Sequence, residues 1–546
     1  MAEHMAEHAS APRSMGSLGG TAGPRKVVMI LTDTQPTWFV GAYGNGDVCR
    51  TPNLDRLAAE GVRFDRGYTA CPLCTPARST LMTGLYPASN GAVANETSPA
   101  RHIPMIGERL RAAGVRYGYT GKWHLDAAGY HGAGQADGGA PEQWWFDGRN
   151  YIEQIGKERY QALADAGSRG DAEALRRLEL REEECWGYQV VERARDFLEN
   201  TPQDEDFLFI ASFDEPHGPF ICPPEYFEHF QEHPIPAPAN HGVPEPDTRP
   251  SLQRQQSGEY PVGTEEEFAA ERAKHMACNA WLDTQIGRLL ETIREIHGHD
   301  VLIIFTSDHG DMHGAHGLRS KGAMMYEETV RVPFIVRPPR AGRGAGGTSE
   351  TSGTCDTVVS QIDLVPTILS YLGMPVPPAL QGYSLLPYLG LDGAAPETKV
   401  HAGGLPPYRM IQFFRFGAFH RGHGEWYPIR CVVASRWKLV INLFDEDEFY
   451  DLTEDPWEEW NLLPPGGGLE TRDALREAHA GLLGEMERSF DPLRGPAWRE
   501  RPWAEKSTTH GRLLAAAEPA PGSTRRSYFG EQDDEPPALN SERNSA

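Results

Sequence analysis

Cys74 and Arg78 stand four residues apart in the stretch Cys74-Thr-Pro-Ala-Arg78. Thr75 is a favourable helix N-cap and Pro76 a favourable first helical residue, so the sequence predicts that a helix begins here. The free N–H groups and the dipole of a helix N-terminus favour an anion, and Arg78 lies about one turn in, near the same end. A reactive group at this position is suited to attack a tetrahedral oxyanion.

Carboxylates follow two apolar segments that we predict to be strands. Asp33 and Asp308 each come just after such a segment. Ligands of open α/β sheets gather at the carboxyl ends of the strands, so Asp308 and His309 are expected to face the same crevice as Asp33. Two carboxylates and an imidazole suit a divalent cation. Gln35 lies two residues after Asp33, so on an extended strand it would face the same way and add a carbonyl oxygen.

Basic side chains follow further strand-like segments. Lys122 and His124 come after residues 115–119 and would project to one face of an extended chain. Pro216-His217 follows the segment that ends near Ser212. Taken one at a time, each of these residues is as readily explained by a solvated or structural role as by a functional one. Because all of them follow strand ends, we expect them to share one functional site.

The stretch Cys74-Thr-Pro-Ala-Arg78 is also the Cys-x-Pro-x-Arg signature of type I sulfatases, in the alkaline phosphatase superfamily, and the sequence resembles that family over about residues 26–465. The resemblance implies an alkaline-phosphatase-like α/β/α sandwich with a mostly parallel central sheet, and a smaller C-terminal α+β domain with an antiparallel sheet. It implies that a formylglycine-generating enzyme oxidises Cys74 to formylglycine, whose hydrate is the nucleophile. The implied activity is that of a sulfuric ester hydrolase, which cleaves a sulfate monoester to alcohol and inorganic sulfate.

The resemblance implies a role for each basic side chain. Lys122, in Gly121-Lys-Trp-His124, would steady the hydrate and the sulfate. His124 would take a proton from the geminal hydroxyl when the sulfated enzyme breaks down. His217 resembles the family's second histidine, at the leaving-group side. Lys321 matches a lysine that contacts the sulfate and the bridging oxygen, so either it or His217 would protonate the departing alcohol.

The metal positions of the family fall on Asp33, Asp308 and His309, and we expect Gln35 and Cys74 to complete the set of metal ligands. Ca²⁺ is the family default. Many members have a second Asp where this chain has Thr34, and many have Asn in place of His309. Because His309 would add an imidazole ligand, Mn²⁺ is an alternative to Ca²⁺ as the metal. Thr34 and His309 at these positions also resemble the subgroup that includes choline sulfatases and phosphonate monoester hydrolases.

The elements that position these residues follow an alternating pattern. Unbroken apolar runs at 26–32, 207–211 and 301–306 are typical of strands covered on both faces. Between them lie helical patterns, several of which end at Gly, over 54–60, 103–113, 188–198, 265–297 and 358–372. This alternation predicts a mostly parallel sheet with helices on both faces.

After about residue 385 the pattern changes to short strands at 431–434, 437–441 and 448–452, followed by a helix over 469–489. We therefore predict a flexible N-terminal segment (1–24), a catalytic domain (25–385), a smaller C-terminal domain (386–504) and a polar tail (505–546). The tail and the partly apolar second domain are compatible with a homo-oligomer.

The charge composition of the chain limits the binding partners that we expect. The 546 residues carry 77 acidic and 52 basic side chains, a net charge of −25, which argues against binding to nucleic acid or to an anionic membrane. The acidic balance favours a small sulfated ester or a short sulfated sugar over a long sulfated polymer. The N-terminal region lacks the apolar core of a signal peptide, and no apolar run approaches the roughly 18 residues of a membrane span, so a cytoplasmic location is expected.

Several alternatives remain open on the sequence. Cys71-Pro-Leu-Cys74 is also the spacing of a redox pair or of half a zinc site, although neither explains Pro76 and Arg78. A zinc cluster could use His309 with His313 and His316. The glycines between these histidines instead favour a tight loop in which only His309 faces the metal, while the other two are structural or support the site.

Two functional alternatives use the same fold. One is a phosphonate monoester or phosphodiester hydrolase with this site, and the other is a non-catalytic anion-binding protein in which Cys74 stays a thiol.

Asn95 resembles a substrate-side asparagine of some relatives, although an Asn in a loop is most often a turn residue. A group of aromatic side chains would either line the substrate pocket or form ordinary core: Phe413, Phe414, Phe416, Trp426 and Tyr427.

Overall fold

The computed structural model describes residues 23–126, 138–340, 353–391, 405–417, 426–463, 469–501 and 503. The described residues up to Trp498 belong to one compact unit, and those from Arg499 onward belong to a second. The predicted N-terminal segment, apart from residues 23 and 24, and the predicted tail lie outside the described residues.

The strands of the described residues are β1 Lys26–Thr32, β2 Val62–Phe64, β3 Gly67–Tyr68, β4 Arg116–Gly121, β5 Trp145–Phe146, β6 Phe207–Ser212, β7 Val301–Ser307, β8 Phe334–Arg337, β9 Gly353–Cys355, β10 Val359–Ser360, β11 Arg409–Phe413, β12 Ile429–Val433, β13 Trp437–Asn442 and β14 Glu448–Asp451. The helices are α1 Gly46–Cys49, α2 Pro52–Glu60, α3 Cys74–Thr83, α4 Pro87–Asn90, α5 Ile106–Ala112, α6 Gly148–Ile155, α7 Lys157–Arg169, α8 Ala172–Arg177, α9 Trp186–Glu199, α10 Pro224–Glu232, α11 Ser251–Glu259, α12 Glu265–His297, α13 Glu327–Val330, α14 Leu364–Tyr371, α15 Leu469–Arg488 and α16 Pro496–Arg499.

Eight strands form the central sheet in the order β5-β4-β6-β1-β7-β8-β2-β9. The pairs from β5 through β7 are parallel, and β8 runs antiparallel to both of its neighbours. The central strands β4, β6, β1 and β7 therefore end at one edge of the sheet. The predicted mostly parallel sheet is confirmed.

Both faces of the sheet are covered, and the central strands β1, β6 and β7 are buried at every position. In β1, Val27, Met29 and Leu31 pack into one core with residues of α3 and α14. Val28 and Ile30 pack into the opposite core with residues of α2, α9 and α12. Each such buried side chain stabilises the fold by about 1.5–3 kcal/mol, which holds the strand ends rigidly in place.

Two predicted elements differ in the structure. The helix predicted over 358–372 begins only at Leu364, because Val359 and Ser360 pair with β3 and the Asp363 carboxylate accepts the Ser360 N–H. Helix α3 begins at Cys74 with Leu73 as its N-cap, two residues earlier than the predicted N-cap at Thr75.

The C-terminal sheet is antiparallel, in the order β11-β12-β13-β14. Strands β12 to β14 and helix α15 confirm the predicted elements, whereas β11 was not predicted. Its central residues Met410, Ile411 and Gln412 are all buried, so β11 lacks the alternation of a half-exposed strand.

We find no helix within the described ranges that has the length and apolar character required to cross a bilayer.

Candidate active site and metal centre

The site lies where four adjacent strands of the central sheet end. Asp33 follows β1, Lys122 follows β4, Asp214 follows β6 and Asp308 follows β7. These strands are neighbours in the sheet, so residues far apart in the chain meet at one edge. The N-terminus of α3 brings Cys74 to the same place.

Four buried side chains form a potential metal centre. The ligand atoms of Asp33, Cys74, Asp308 and His309 all lie within 4.8 Å of one another, and this is the one such His/Cys/Asp/Glu group among the described residues. Cys74 Sγ is 3.1 Å from His309 Nε2 and 4.0 Å from Asp33 Oδ1. Two carboxylates and an imidazole fit a divalent cation, as the sequence predicts.

Arg78 joins the two carboxylates. Its guanidinium donates to Asp33 Oδ2 and to Asp308 Oδ2, both at 2.9 Å, and the side chain is 1% exposed. A third contact, to the Ser212 hydroxyl at 2.9 Å, fixes the plane of the guanidinium. Arg78 therefore neutralises the buried carboxylates and holds the strand ends β1, β6 and β7 in register.

Two lysines surround the thiol and Asp33. Lys122 Nζ is 2.7 Å from Asp33 Oδ2 and 3.1 Å from Asp214 Oδ1, and Lys321 Nζ is 3.9 Å from Asp33 Oδ1. Burial opposes ionisation of Cys74, as does Asp33. The nearby cations, above all Lys321 and Lys122, nevertheless hold the pKa of this thiol well below its usual value. The site is thus built to stabilise negative charge at position 74.

The two carboxylates differ in environment. Burial opposes ionisation of Asp33, but Lys122 and its other cationic neighbours hold the pKa of Asp33 well below normal. Burial and the charge of Asp33 raise the pKa of Asp308 to about 7. A divalent cation beside Asp308 would stabilise its ionised form against burial and the charge of Asp33, which supports a metal at this position.

The predicted histidines are placed differently from one another. His217 lies beside the lysines, and burial, Lys321 and Lys122 lower its pKa to about 4. The His124 carbonyl accepts from the Thr75 hydroxyl at 2.8 Å, and its backbone is left-handed with φ of 56°. The chain after β4 therefore leaves the extended conformation at His124, whereas the sequence analysis assumes an extended segment from Lys122 to His124.

Gln35 makes other contacts. Its carbonyl accepts from the Thr32 hydroxyl at 2.8 Å, and its amide donates to Asn279 at 2.7 Å. Thr34 is left-handed with φ of 61°, so the chain leaves the extended conformation between Asp33 and Gln35. The alternation on which the Gln35 prediction depends is interrupted there, so its metal-ligand role stays a prediction.

Sequence reasoning did not identify several contributors to the site. The Asp214 carboxylate contacts Lys122, and the Thr34 hydroxyl donates to Asp33 at 2.6 Å and accepts from Lys321 at 3.1 Å. Asp214 lies two residues after the end of β6, so the strand-end rule could have found it. Asn95, weighed above as a turn residue, accepts from the Thr75 N–H at 3.1 Å and so supports the first turn of α3.

The histidine-cluster and redox alternatives receive no support from the geometry. His316 stacks on Tyr326 at 3.8 Å, and His313 packs against Phe39 at 4.7 Å. The described group of potential ligands contains His309 alone of the three histidines. Cys71 and Cys74 are both free thiols, and burial raises the pKa of Cys71 whereas that of Cys74 is lowered.

The aromatic residues of the second sheet belong partly to the core. Phe413 and Phe414 are buried, and Tyr427 donates to Asp445 at 2.6 Å. Phe416 approaches the site, because its carbonyl accepts from the Asn95 N–H and its ring lies next to Gly322.

Acid is expected to destabilise the fold through buried neutral histidines. Burial lowers the pKa values of His275, His313 and His316 to about 3. Between pH 6.5 and 3 the unfolded chain binds protons that the folded chain does not, so stability falls as pH falls. Each histidine should cost about 2 kcal/mol at pH 5 relative to pH 7.

Urea unfolding of the wild type and of His316→Gln at both pH values checks this. The loss of stability between pH 7 and pH 5 should be about 2 kcal/mol smaller in the variant. Equal losses in the two proteins would contradict the prediction.

Comparison with known proteins agrees with this site. Residues 25–374 match the Sulfatase family model, and residues 314–478 match the model for the N-sulphoglucosamine sulphohydrolase C-terminal region. The chain is 34% identical over 497 residues to "Uncharacterized sulfatase YidJ" of Escherichia coli, which covers 90% of this chain and 93% of that protein. It is 25% identical over 557 residues to an N-acetylglucosamine-6-O-sulfatase of Bacteroides thetaiotaomicron, over 88% and 90% of the two chains.

Solved structures share the fold. A protein solved in complex with its substrate D-glucosamine-2-N,6-O-disulfate superposes with a TM-score of 0.65 at 21% identity, over 88% of this chain and all of that one. The phosphonate monoester hydrolase of Agrobacterium radiobacter superposes with a TM-score of 0.65 at 23% identity, over 85% and 96% of the two chains. The alkaline-phosphatase-like fold, the family match and the sulfatase relatives together show that this chain belongs to the sulfatase family of enzymes.

Proposed function

We propose that the protein hydrolyses sulfate monoesters to alcohol and inorganic sulfate, using formylglycine at position 74 and a bound divalent cation. The observation that carries this proposal is the buried group of Asp33, Cys74, Asp308 and His309 at the N-terminus of α3. Arg78 and two lysines surround this group with positive charge.

The four grouped side chains would hold the cation. Ca²⁺ is the expected metal, and Mn²⁺ is the alternative because the imidazole of His309 suits Mn²⁺ better than Ca²⁺. The side chains of the site include three carboxylates (Asp33, Asp308 and Asp214) and three cationic groups (Arg78, Lys122 and Lys321), whose formal charges cancel. A divalent cation supplies the excess positive charge that an anionic ester needs in a buried site.

Cys74 Sγ marks the position that an oxygen of formylglycine would occupy. A hydrated aldehyde supplies a geminal diol, which can attack sulfur and later release sulfate by reforming the aldehyde. Cys74 is 2% exposed, so a modifying enzyme must reach it before folding is complete.

The surrounding residues have complementary tasks in this proposal. Lys122 and Lys321 stabilise the charge of the sulfate oxygens from two sides of position 74. Lys321 or His217 donates the proton to the departing alcohol oxygen, and His124 accepts the proton of the diol. Asp214 and Thr34 position the two lysines through the contacts described above.

The test compares two esters with the same leaving group. We expect kcat/KM for 4-nitrophenyl sulfate to exceed that for 4-nitrophenyl phenylphosphonate by at least about tenfold. The reverse ratio would identify a phosphonate or phosphodiester hydrolase with this site. If Cys74 stays a thiol in protein made with a formylglycine-generating enzyme, and neither ester is turned over, the protein is the non-catalytic anion-binding alternative.

The remaining predictions extend this proposal. The substrate is a small sulfated ester or a short sulfated sugar, and the second partner is the formylglycine-generating enzyme. Residues 25–385 form the catalytic domain and 386–504 the smaller one. The cytoplasmic location and homo-oligomeric state expected from the sequence stay predictions.

A further inference from the structure

The donor atoms at the metal centre differ before and after the conversion of Cys74. Cys74 is a free thiol in the structure, so the buried group offers one sulfur, one imidazole nitrogen and two carboxylates. Formylglycine would replace the sulfur with an oxygen. Zn²⁺ binds thiolate and imidazole in four-coordinate sites, whereas Ca²⁺ takes about six to eight oxygen ligands. The thiol form therefore offers a donor set that suits zinc better than calcium.

The separations of the donor atoms fit a tetrahedral zinc site. Zn–S bonds of about 2.3 Å and Zn–N or Zn–O bonds of about 2.0–2.2 Å place neighbouring ligands about 3.3–3.6 Å apart. In the structure Cys74 Sγ is 3.1 Å from His309 Nε2 and 4.0 Å from Asp33 Oδ1. His309 Nε2 is 3.6 Å from Asp308 Oδ1. These three separations bracket the tetrahedral values, so small side-chain shifts would close the group around one ion.

The ligand atoms are held in the orientation that a metal requires. His309 Nδ1 lies 2.8 Å from the Gly310 carbonyl oxygen, which can only accept, so Nδ1 carries the proton and Nε2 presents its lone pair to the thiol. Asp33 and Asp308 each use Oδ2 to accept from Arg78. Their Oδ1 atoms are the ones that face the thiol and the imidazole.

An ion can reach this group from a neighbouring cavity. Thr34, His217 and Lys321 line a cavity of about 240 Å³. The Thr34 hydroxyl donates to Asp33 Oδ1 at 2.6 Å, and Lys321 Nζ lies 3.9 Å from the same oxygen. The cavity therefore extends to within one side chain of the donor atoms and provides the entry path that a metal site needs.

One pair of histidines on the surface competes for zinc. His229 and His233 lie one turn apart at the end of α10, with their ring centres 4.5 Å apart. This pair offers two nitrogens, whereas structural zinc sites use four ligands. The buried group is the one set of at least three His, Cys, Asp or Glu ligands among the described residues, so it should take the first Zn²⁺ ion.

We propose that the thiol form of this chain binds one Zn²⁺ ion through the buried group of Asp33, Cys74, Asp308 and His309. Conversion of Cys74 then shifts the preference of the site toward Ca²⁺ or Mn²⁺. The zinc site belongs to unconverted chains and is independent of any hydrolysis. The shift rests on the proposed function, in which formylglycine supplies an oxygen at position 74. The modification that creates the nucleophile is therefore also a change of metal.

The experiment uses the full chain made in a host without a formylglycine-generating enzyme. Competition with a chelator should show one Zn²⁺ bound per chain, with a Kd at least about 10³-fold lower than that for Ca²⁺. Co²⁺ in place of Zn²⁺ should give a thiolate-to-cobalt charge-transfer band in the near ultraviolet, which reports a bond between sulfur and metal. Absence of this band, or equal Kd values for Zn²⁺ and Ca²⁺, would overturn the inference.

Four variants assign the bound zinc to its ligands. Cys74→Ser should remove the cobalt band and weaken Zn²⁺ binding by at least about 100-fold, because loss of an outer-shell partner alone costs about 10–100-fold. His309→Asn should weaken Zn²⁺ binding by a similar factor. Cys71→Ala removes a buried thiol outside the group and should keep both the band and the Kd. His233→Gln should also keep the Kd; loss of tight binding in this variant alone would place the zinc on the surface pair and overturn the inference.

Protein made with the formylglycine-generating enzyme tests the change of metal. Its cobalt band should be absent, and its ratio of Ca²⁺ Kd to Zn²⁺ Kd should fall by at least about 100-fold relative to the thiol form. If converted protein hydrolyses no ester while the thiol form binds Zn²⁺ through Cys74, the proposed function fails and the zinc site stands. If converted protein hydrolyses sulfate esters but both forms have the same metal preference, the inference alone fails.

Discussion

Replacing Cys74 with Ser is expected to lower steady-state kcat on 4-nitrophenyl sulfate by about 10⁴-fold. A serine hydroxyl could accept the sulfuryl group but, unlike a geminal diol, could not release sulfate by collapsing to an aldehyde. The side chain keeps its size, so Arg78 and the lysines should retain their contacts. Stopped-flow and steady-state measurements should then show at most one turnover per chain.

Cys71→Ala is the matched control, because Cys71 is also buried but lies outside the metal group. We expect this variant to turn over at close to the wild-type rate. A redox or zinc role for the Cys-x-x-Cys pair predicts instead that both substitutions abolish activity. Multiple turnovers by Cys74→Ser would contradict the role proposed for position 74.

Removing divalent cations should lower kcat/KM by about 10³-fold, and adding Ca²⁺ should restore it. Asp33 and Asp308 are both fully buried, and a cation there would balance them and stabilise the anionic ester. The measurement is 4-nitrophenyl sulfate hydrolysis after chelation and dialysis, followed by titration with Ca²⁺ or Mn²⁺. If Mn²⁺ alone restores hydrolysis, the metal is Mn²⁺, which the imidazole of His309 favours.

Asp308→Asn provides the structural control for this experiment. It keeps an oxygen near the metal but removes one negative charge, so titration should need a higher cation concentration for the same recovery. Full activity after exhaustive chelation, in the wild type, would contradict the metal centre.

The positions of the main charged residues of the site were predictable because these residues follow the ends of strands. Apolar runs before Asp33 and Asp308 identify β1 and β7, and the strand-end rule places both carboxylates at one edge. The same rule accounts for Lys122 after β4 and His217 after β6. The start of helix α3 at Cys74 follows from the local pattern to within two residues.

Contacts that depend on tertiary packing were not predictable. Thr75 has the residue type of an N-cap, yet its hydroxyl donates to the His124 carbonyl because β4 ends against α3. Gln35 was assigned by alternation along a strand, and the left-handed backbone at Thr34 breaks that alternation. The position of the His313 ring depends on contacts with Trp38, Phe39 and His275, which are distant from it in the sequence, so no local spacing reveals it.

The most direct test of the account is the mass of the tryptic peptide from Gly67 to Arg78, taken from protein made with a formylglycine-generating enzyme. We predict that the residue at position 74 has lost its sulfur and two hydrogens and gained one oxygen, as expected for an aldehyde, while Cys71 keeps its thiol. Active protein in which this peptide carries two unmodified cysteines would contradict the account.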